Sequence, residues 1–287
     1  MRQDIIDLYD MFTHRGLDRR VFMRRLAELT GGTAAAYAAL AALRADPAKA
    51  AIIAADDPRL QTERVTFPGA DGRATRGYLV VPTDAPVPRG GIVVVHENRG
   101  LNPHIEDIAR RLALGGFTAL AVDFLSPLGG TPTDEDRARE LIGQLDAAGV
   151  VADAAGAIAW LRARADSNGK VGIVGFCWGG GVVGRVAVAQ PDLNAGVVFY
   201  GMQPPAEEVA AIQAPLLLHY AGQDERINAG IPAFEEALKS AGKRYTLHLY
   251  EGTQHAFNND TSTARFHPEA AALAWERTMA FFEEQLG

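Results

Sequence analysis

The chain reads as an α/β protein built on a mainly parallel sheet with helices on both faces. Three observations predict this. Short, continuous apolar runs of strand length recur from residue 91 onward, as in strands buried on both faces. Segments of helical periodicity separate them, the alternation that produces parallel pairing. The 287 residues, 48% hydrophobic and 22% charged, suffice for a sizeable core.

In order, residues 1–50 are expected to form a helical N-terminal extension and residues 51–287 a single α/β domain. Ile5, Ile6, Leu8, Tyr9 and Phe12 predict one short amphipathic helix. Leu17, Val21, Phe22, Leu26 and Leu29 predict a second, with Asp18 near its N-cap. Gly31-Gly32 breaks that pattern, and Thr33 opens an alanine-rich third. Residues 63–68 and 76–82, around Gly69-Ala-Asp-Gly72, predict an antiparallel hairpin. A strand at 91–96 then leads to a helix over 105–114, with Pro103 near its start and Gly115-Gly116 after its end. A strand at 117–124 and helices at 134–145 and 150–165 follow. Strands at 171–176, 195–200, 215–220 and 245–250, with helices between them, lead to a terminal helix carrying Leu273, Trp275, Met279, Phe282 and Leu286.

Composition narrows the function. A formal net charge of −7 argues against binding driven by nucleic-acid phosphates. No apolar stretch is long enough to span a bilayer. Cys177 is the only cysteine, so no intrachain disulfide forms, and a thiol that stays reduced suits the cytoplasm. The alternative is periplasmic, because Asp18-Arg-Arg-Val-Phe-Met23 resembles a degenerate twin-arginine signal. Arg24, Arg25 and Glu28 interrupt the place where its apolar run should begin, which favours a helical extension packed on the main domain.

Around the single thiol, Val171–Phe176 reads as a buried strand and the residues from Trp178 onward as a helix. Between them, Gly175-Phe-Cys177-Trp-Gly179 has the G-x-S-x-G form of a nucleophile elbow with cysteine in the serine position. Such a turn is strained, and side chains two residues to either side would collide, hence the glycines. The sulfur would face a helix N-terminus, whose dipoles favour a thiolate. The competing reading is a buried structural cysteine.

Catalytic partners are expected beyond the carboxyl ends of later strands. Gly222-Gln-Asp224-Glu225 places an acid after the 215–220 strand, and Gly252-Thr-Gln-His255 places a histidine after the 245–250 strand. Glu225 competes with Asp224, and the Gly-Gln-Asp placement favours Asp224. Nucleophile, acid and base then occur in the chain order of an α/β-hydrolase. His96, His104, His219 and His248 have no comparable partners, and no cluster has convincing metal-ligand spacing. No metal or organic cofactor is implied.

Gly175-Phe-Cys-Trp-Gly-Gly-Gly181, Gly222-Gln-Asp224, His255-Ala-Phe257, Ala121-Val-Asp123 and His96-Glu-Asn-Arg-Gly-Leu-Asn-Pro-His-Ile-Glu-Asp107 together resemble the dienelactone hydrolase family, across residues 63–286. The resemblance implies an α/β-hydrolase fold and hydrolysis of a small ester or lactone through a cysteine acyl-enzyme. Cys177, His255 and Asp224 would form the triad, and Glu97 would switch the protonation of Cys177 when substrate binds. The backbone N–H groups of Trp178 and Asn98 are the natural oxyanion donors. Family members hold a substrate carboxylate with arginines, one of them shortly after the catalytic histidine. Here that stretch is Phe257-Asn258-Asn259, which leaves Arg99, Arg137 and Arg139 as candidate cations and Phe257 as a candidate substrate contact. The rival readings are a promiscuous short-chain carboxylesterase using the same residues and a non-catalytic binding protein on the same fold. The sequence leaves the oligomeric state open.

Overall fold

The computed structural model describes residues 1–14, 16–44 and 52–287. The boundary expected between residues 50 and 51 falls outside the described residues. Three helices come first, α1 (Gln3–His14), α2 (Arg19–Thr30) and α3 (Thr33–Leu43). The hairpin strands β1 (Leu60–Pro68) and β2 (Ala74–Pro82) follow, and then β3 (Arg89–Val95), α4 (Pro103–Leu114), β4 (Thr118–Asp123), α5 (Glu135–Ile142) and α6 (Ala147–Arg162). The second half runs β5 (Ser167–Phe176), α7 (Trp178–Ala189), β6 (Ala195–Phe199), β7 (Leu216–Ala221), α8 (Glu225–Asn228), α9 (Ile231–Ser240), β8 (Tyr245–Tyr250) and α10 (Pro268–Leu286).

The strands make one eight-stranded sheet in the order β1-β2-β4-β3-β5-β6-β7-β8. The hairpin joins it antiparallel through β2 and β4, and every pairing from β4 to β8 is parallel. From β3 the chain first moves to one side, to β4, and then crosses to the other, to β5. That reversal makes β3 and β5 the topological switch point, where such sheets open a crevice beyond the strand ends. Val95 pairs with Gly175 in register, so the residues that follow, Glu97 and Cys177, emerge side by side.

Alternate side chains of the buried strands feed two cores. Ile92, Val94 and Val174 meet Ile105, Ile108 and Phe282 on one face. Val93, Val95 and Ile173 meet Ile158, Val183 and Val186 on the other. The expected helix between β6 and β7 is only a short 3-10 segment, Ala206–Ala211. Pro204-Pro205 before it and Pro215 after it confine any helix here to at most about nine residues.

The extension has its own core. Ile5, Ile6, Leu8, Tyr9 and Phe12 pack against Phe22, Leu26, Leu40 and Leu43. Asp18 caps α2, accepting from the backbone N–H groups of Arg20 and Val21, and Gly31 ends it in the left-handed region at φ 83°. The bundle lies over the switch point. Arg19 pairs with Asp136, Arg139 donates to the Phe12 carbonyl at 3.1 Å, and Ser262 donates to the Leu43 carbonyl at 3.2 Å.

Candidate active site

β5 ends at Phe176 and α7 starts at Trp178, so Cys177 alone makes the turn, at φ 54° and ψ −114°. A non-glycine residue there is strained. The flanking glycines are required sterically. A Cβ on Gly175 would lie 2.2 Å from the Gly179 carbonyl oxygen, and one on Gly179 would lie 2.5 Å from the carbonyl oxygens of Val95 and His96. The α7 N-terminus thus abuts the end of β3. Trp178 is the first residue of α7, so its N–H has no intrahelical acceptor.

Asp224 follows β7 and caps α8 through a bond from the Ile227 N–H. Its other oxygen receives the Nδ1–H of His255 at 2.5 Å. That bond fixes the imidazole tautomer and leaves Nε2, buried and without a hydrogen-bond partner, facing the cavity of Cys177. Burial disfavours the His255 imidazolium, but the charges of Asp224 and a Cys177 thiolate outweigh it and push the group up to about 10. Burial would likewise raise Asp224, yet His255 holds it below its ordinary value.

Glu97 is buried beside the thiol, one oxygen accepting from Asn259 Nδ2 at 2.8 Å and the other without a partner. Asn259 occupies the stretch where the family carries an arginine, and here its amide steadies Glu97. His96 stacks on Trp178 with centroids 5.2 Å apart, which braces the first turn of α7.

The extension supplies a residue that the sequence reading missed. His14, the last residue of α1, places Nε2 4.0 Å from Cys177 Sγ and sets its ring edge-on to His255, centroids 4.9 Å apart. Burial, reinforced by the charges of His255 and Arg226, holds His14 well below the usual histidine range, so it is neutral at pH 7. No local pattern in the sequence links residue 14 to residue 177. Only the docking of α1 brings them together.

Two cavities meet at the thiol. One, of about 20 Å³, lies among Glu97, Asn98, Arg99, His255 and Asn259 and holds about one water. The other, of about 320 Å³, is walled by Thr13, His14, Ile142, Trp178, Arg185 and Met202, at the lower end of ligand-pocket sizes. Cys177 and Asn98 border both.

The candidate cations fare unequally. Arg99 is buried, but its guanidinium is engaged by Tyr9 and by the Glu135 carbonyl at 3.1 and 3.2 Å. Arg139 borders the larger cavity and is held over the Phe12 ring, 4.0 Å from its centroid. Two expectations need correction. Arg137 is exposed and pairs with Glu140, because it lies on the solvent side of α5. Phe257 is wholly buried beneath the site, packed on Tyr200 and Tyr250, because the loop after β8 turns inward at Ala256, φ 67°. Neither residue borders either cavity.

Comparison with known proteins supplies the wider context. The sequence profile of the Dienelactone hydrolase family matches residues 75–286. A Saccharolobus solfataricus protein provisionally named carboxymethylenebutenolidase is 31% identical over 257 residues, covering 76% of this chain and 97% of its own. An Escherichia coli K12 protein of the same provisional name is 29% identical over 258 residues, covering 85% and 94%. Among solved structures, a Klebsiella pneumoniae protein provisionally named dienelactone hydrolase superposes with a TM-score of 0.70 at 28% identity, covering 78% of this chain and 98% of its own. A dienelactone hydrolase-like promiscuous phosphotriesterase from metagenomic libraries gives a TM-score of 0.72 at 25% identity, covering 80% and 100%. With its eight-stranded α/β-hydrolase sheet and these relatives, the chain belongs to the dienelactone hydrolase family and is a hydrolase.

Proposed function

We propose that the protein hydrolyses small esters or lactones through an acyl-enzyme on Cys177, with His255 as acid and base and Asp224 as its orienting partner. The observation that carries this reading is the strained elbow that presents Cys177 at the N-terminus of α7 to the open nitrogen of an Asp224-bound His255. The thiolate attacks the carbonyl carbon, and the oxyanion is held by the backbone N–H groups of Trp178 and Asn98. Collapse of the tetrahedral adduct expels the alkoxide, which takes the proton from His255 Nε2. Forming the thioester removes the sulfur charge that helped hold that proton. The neutral imidazole then deprotonates water for attack on the thioester, and the acid and thiolate are released. Before substrate enters, the sulfur carries a proton. Glu97, with its free oxygen in the same cavity, takes it up as substrate enters, which creates the thiolate beside the His255 imidazolium, and returns it to the sulfur once product has left.

The larger cavity receives the substrate. The stretch expected to carry a carboxylate clamp, Phe257-Asn258-Asn259, has no arginine, Asn259 is occupied by Glu97, and Arg99 and Arg139 are tied to the extension. One such charged contact is worth about 1.5–3 kcal/mol, or roughly tenfold to hundredfold in selectivity. Neutral short-chain esters should therefore be turned over at least as efficiently as carboxylated dienelactones of similar leaving-group acidity. A preference for the carboxylate of about a hundredfold or more in kcat/KM would overturn this and give the clamp to Arg185 or Arg226 on the cavity wall.

Mass spectrometry of rapidly quenched protein tests the covalent step. A Cys177-linked acyl adduct should accumulate with an activated ester, and Cys177→Ala should lose several orders of magnitude of activity while keeping its circular dichroism. A variant retaining about a tenth of the rate would exclude the cysteine as nucleophile.

A further inference from the structure

The docking of α1 creates a donor set that sequence spacing concealed. Cys177 Sγ and one ring nitrogen each from His14 and His255 lie within 4.8 Å of one another, with His14 Nε2 4.0 Å from the sulfur. A tetrahedral zinc ion, with Zn–S of about 2.3 Å and Zn–N of about 2.0–2.1 Å, requires donor separations of about 3.3–3.6 Å. The Sγ–His14 pair would have to close by about half an ångström to reach them, and the widest pair, at up to 4.8 Å, by as much as about 1.2–1.5 Å, so the ion would have to draw the side chains inward.

Three further features suit a metal. The donors are two imidazoles and a thiolate, a borderline-soft set matched to zinc over magnesium or calcium. His255 Nε2 is buried and unpartnered, and it is aimed into the cleft. His255 also donates its other nitrogen to Asp224, the carboxylate–histidine arrangement that orients metal-binding imidazoles and makes them better ligands.

We propose that Cys177, His255 and His14 of the N-terminal extension form a zinc-binding site that reversibly blocks hydrolysis, with the fourth position left to water. The sulfur and the two imidazoles donate lone pairs to the ion, and any proton on Cys177 or on His255 Nε2 is released to solvent. A metal-bound thiolate cannot attack an ester, so ion and substrate compete. The blocking effect rests on the proposed reading of Cys177 as nucleophile. Binding does not.

The test is a Co²⁺ titration of the full-length protein, stripped with chelator and kept reduced with a phosphine. Binding should saturate at one equivalent, with a near-ultraviolet thiolate-to-cobalt charge-transfer band and visible bands of tetrahedral intensity. Zn²⁺ should displace both signals and inhibit ester hydrolysis over the same concentration range, and EDTA should restore activity. His14→Ala and His14→Gln should each weaken Co²⁺ binding by about tenfold or more, and Cys177→Ala should lose the charge-transfer band. Absence of that band in wild type, or unchanged affinity in both His14 variants with native circular dichroism, overturns the site. Co²⁺ and Zn²⁺ binding without inhibition would uphold the site and instead sink the nucleophile reading. Stripped protein that gains activity with one equivalent of Zn²⁺ would overturn the blocking role.

Discussion

His255 owes its charge to two neighbours that fare differently during turnover. In the proposed mechanism Asp224 stays anionic throughout, whereas the Cys177 thiolate is neutralised on acylation, so part of the imidazolium's stabilisation vanishes when the proton must move. The elevated value sets the sign of a pH prediction. Acylation needs the protonated imidazole, so kcat/KM measured with chelator present should fall as pH rises through about 10. In Asp224→Asn the same alkaline limb should move down by about one to three pH units, because an adjacent carboxylate favours the charged form by about that much. A limb left in place would show that Asp224 is not what holds the proton. The same shift stabilises the fold below the ordinary histidine value of about 6.5, and this contribution is lost as pH climbs through about 10.

Among the elements, α1 and α2 do more than decorate the domain. Phe12 and Phe22 stack with centroids 4.3 Å apart and an interplanar angle of 15°, both buried. Phe12 also supports Arg139 and lies two residues before His14. Truncating such a ring leaves a cavity that costs about 3–5 kcal/mol in a well-packed core, more than a three-helix segment with so small a core can spare. Phe22→Ala should therefore loosen the extension while the sheet persists. Limited proteolysis should find new cuts within residues 16–44 with residues 60–287 intact, and the main thermal transition should move little. Unfolding of the whole chain in one step at a much lower Tm would mean that the two cores are cooperative.

For the whole molecule, the central question is whether the extension remains attached. No single described helix is long and apolar enough to cross a membrane. The residues that resemble a twin-arginine motif form the first turn of α2, with Arg19 paired to Asp136 and Phe22 wholly buried. Removing the segment would uncover Cys177 and strip His14 from it. We propose that the extension is retained on the working enzyme and that the enzyme is cytoplasmic. Intact-mass measurement on protein from its native host should find residues 1–44 present. A periplasmic product beginning after the alanine-rich stretch would refute both parts.

What the sequence alone determined follows from interactions of short range or strong pattern. Apolar runs bounded by turn residues located the strands, because a strand buried on both faces must be continuously apolar. The elbow was legible at Cys177 because its strain demands glycines at fixed offsets, and Asp224 and His255 were legible because they follow strands in a chain order of known meaning. Only the tertiary structure decided the rest. Arg137 and Arg139 are two residues apart on one helix, yet one faces solvent and the other the cavity, a difference set by which side of α5 meets the extension. Phe257 went to the core and Asn259 to Glu97 because a left-handed residue at Ala256 turned their loop inward. His14 reached the thiol only through the docking of α1. Contacts between residues 163 positions apart leave no periodicity for a sequence to display, since they depend on how separate surfaces fit.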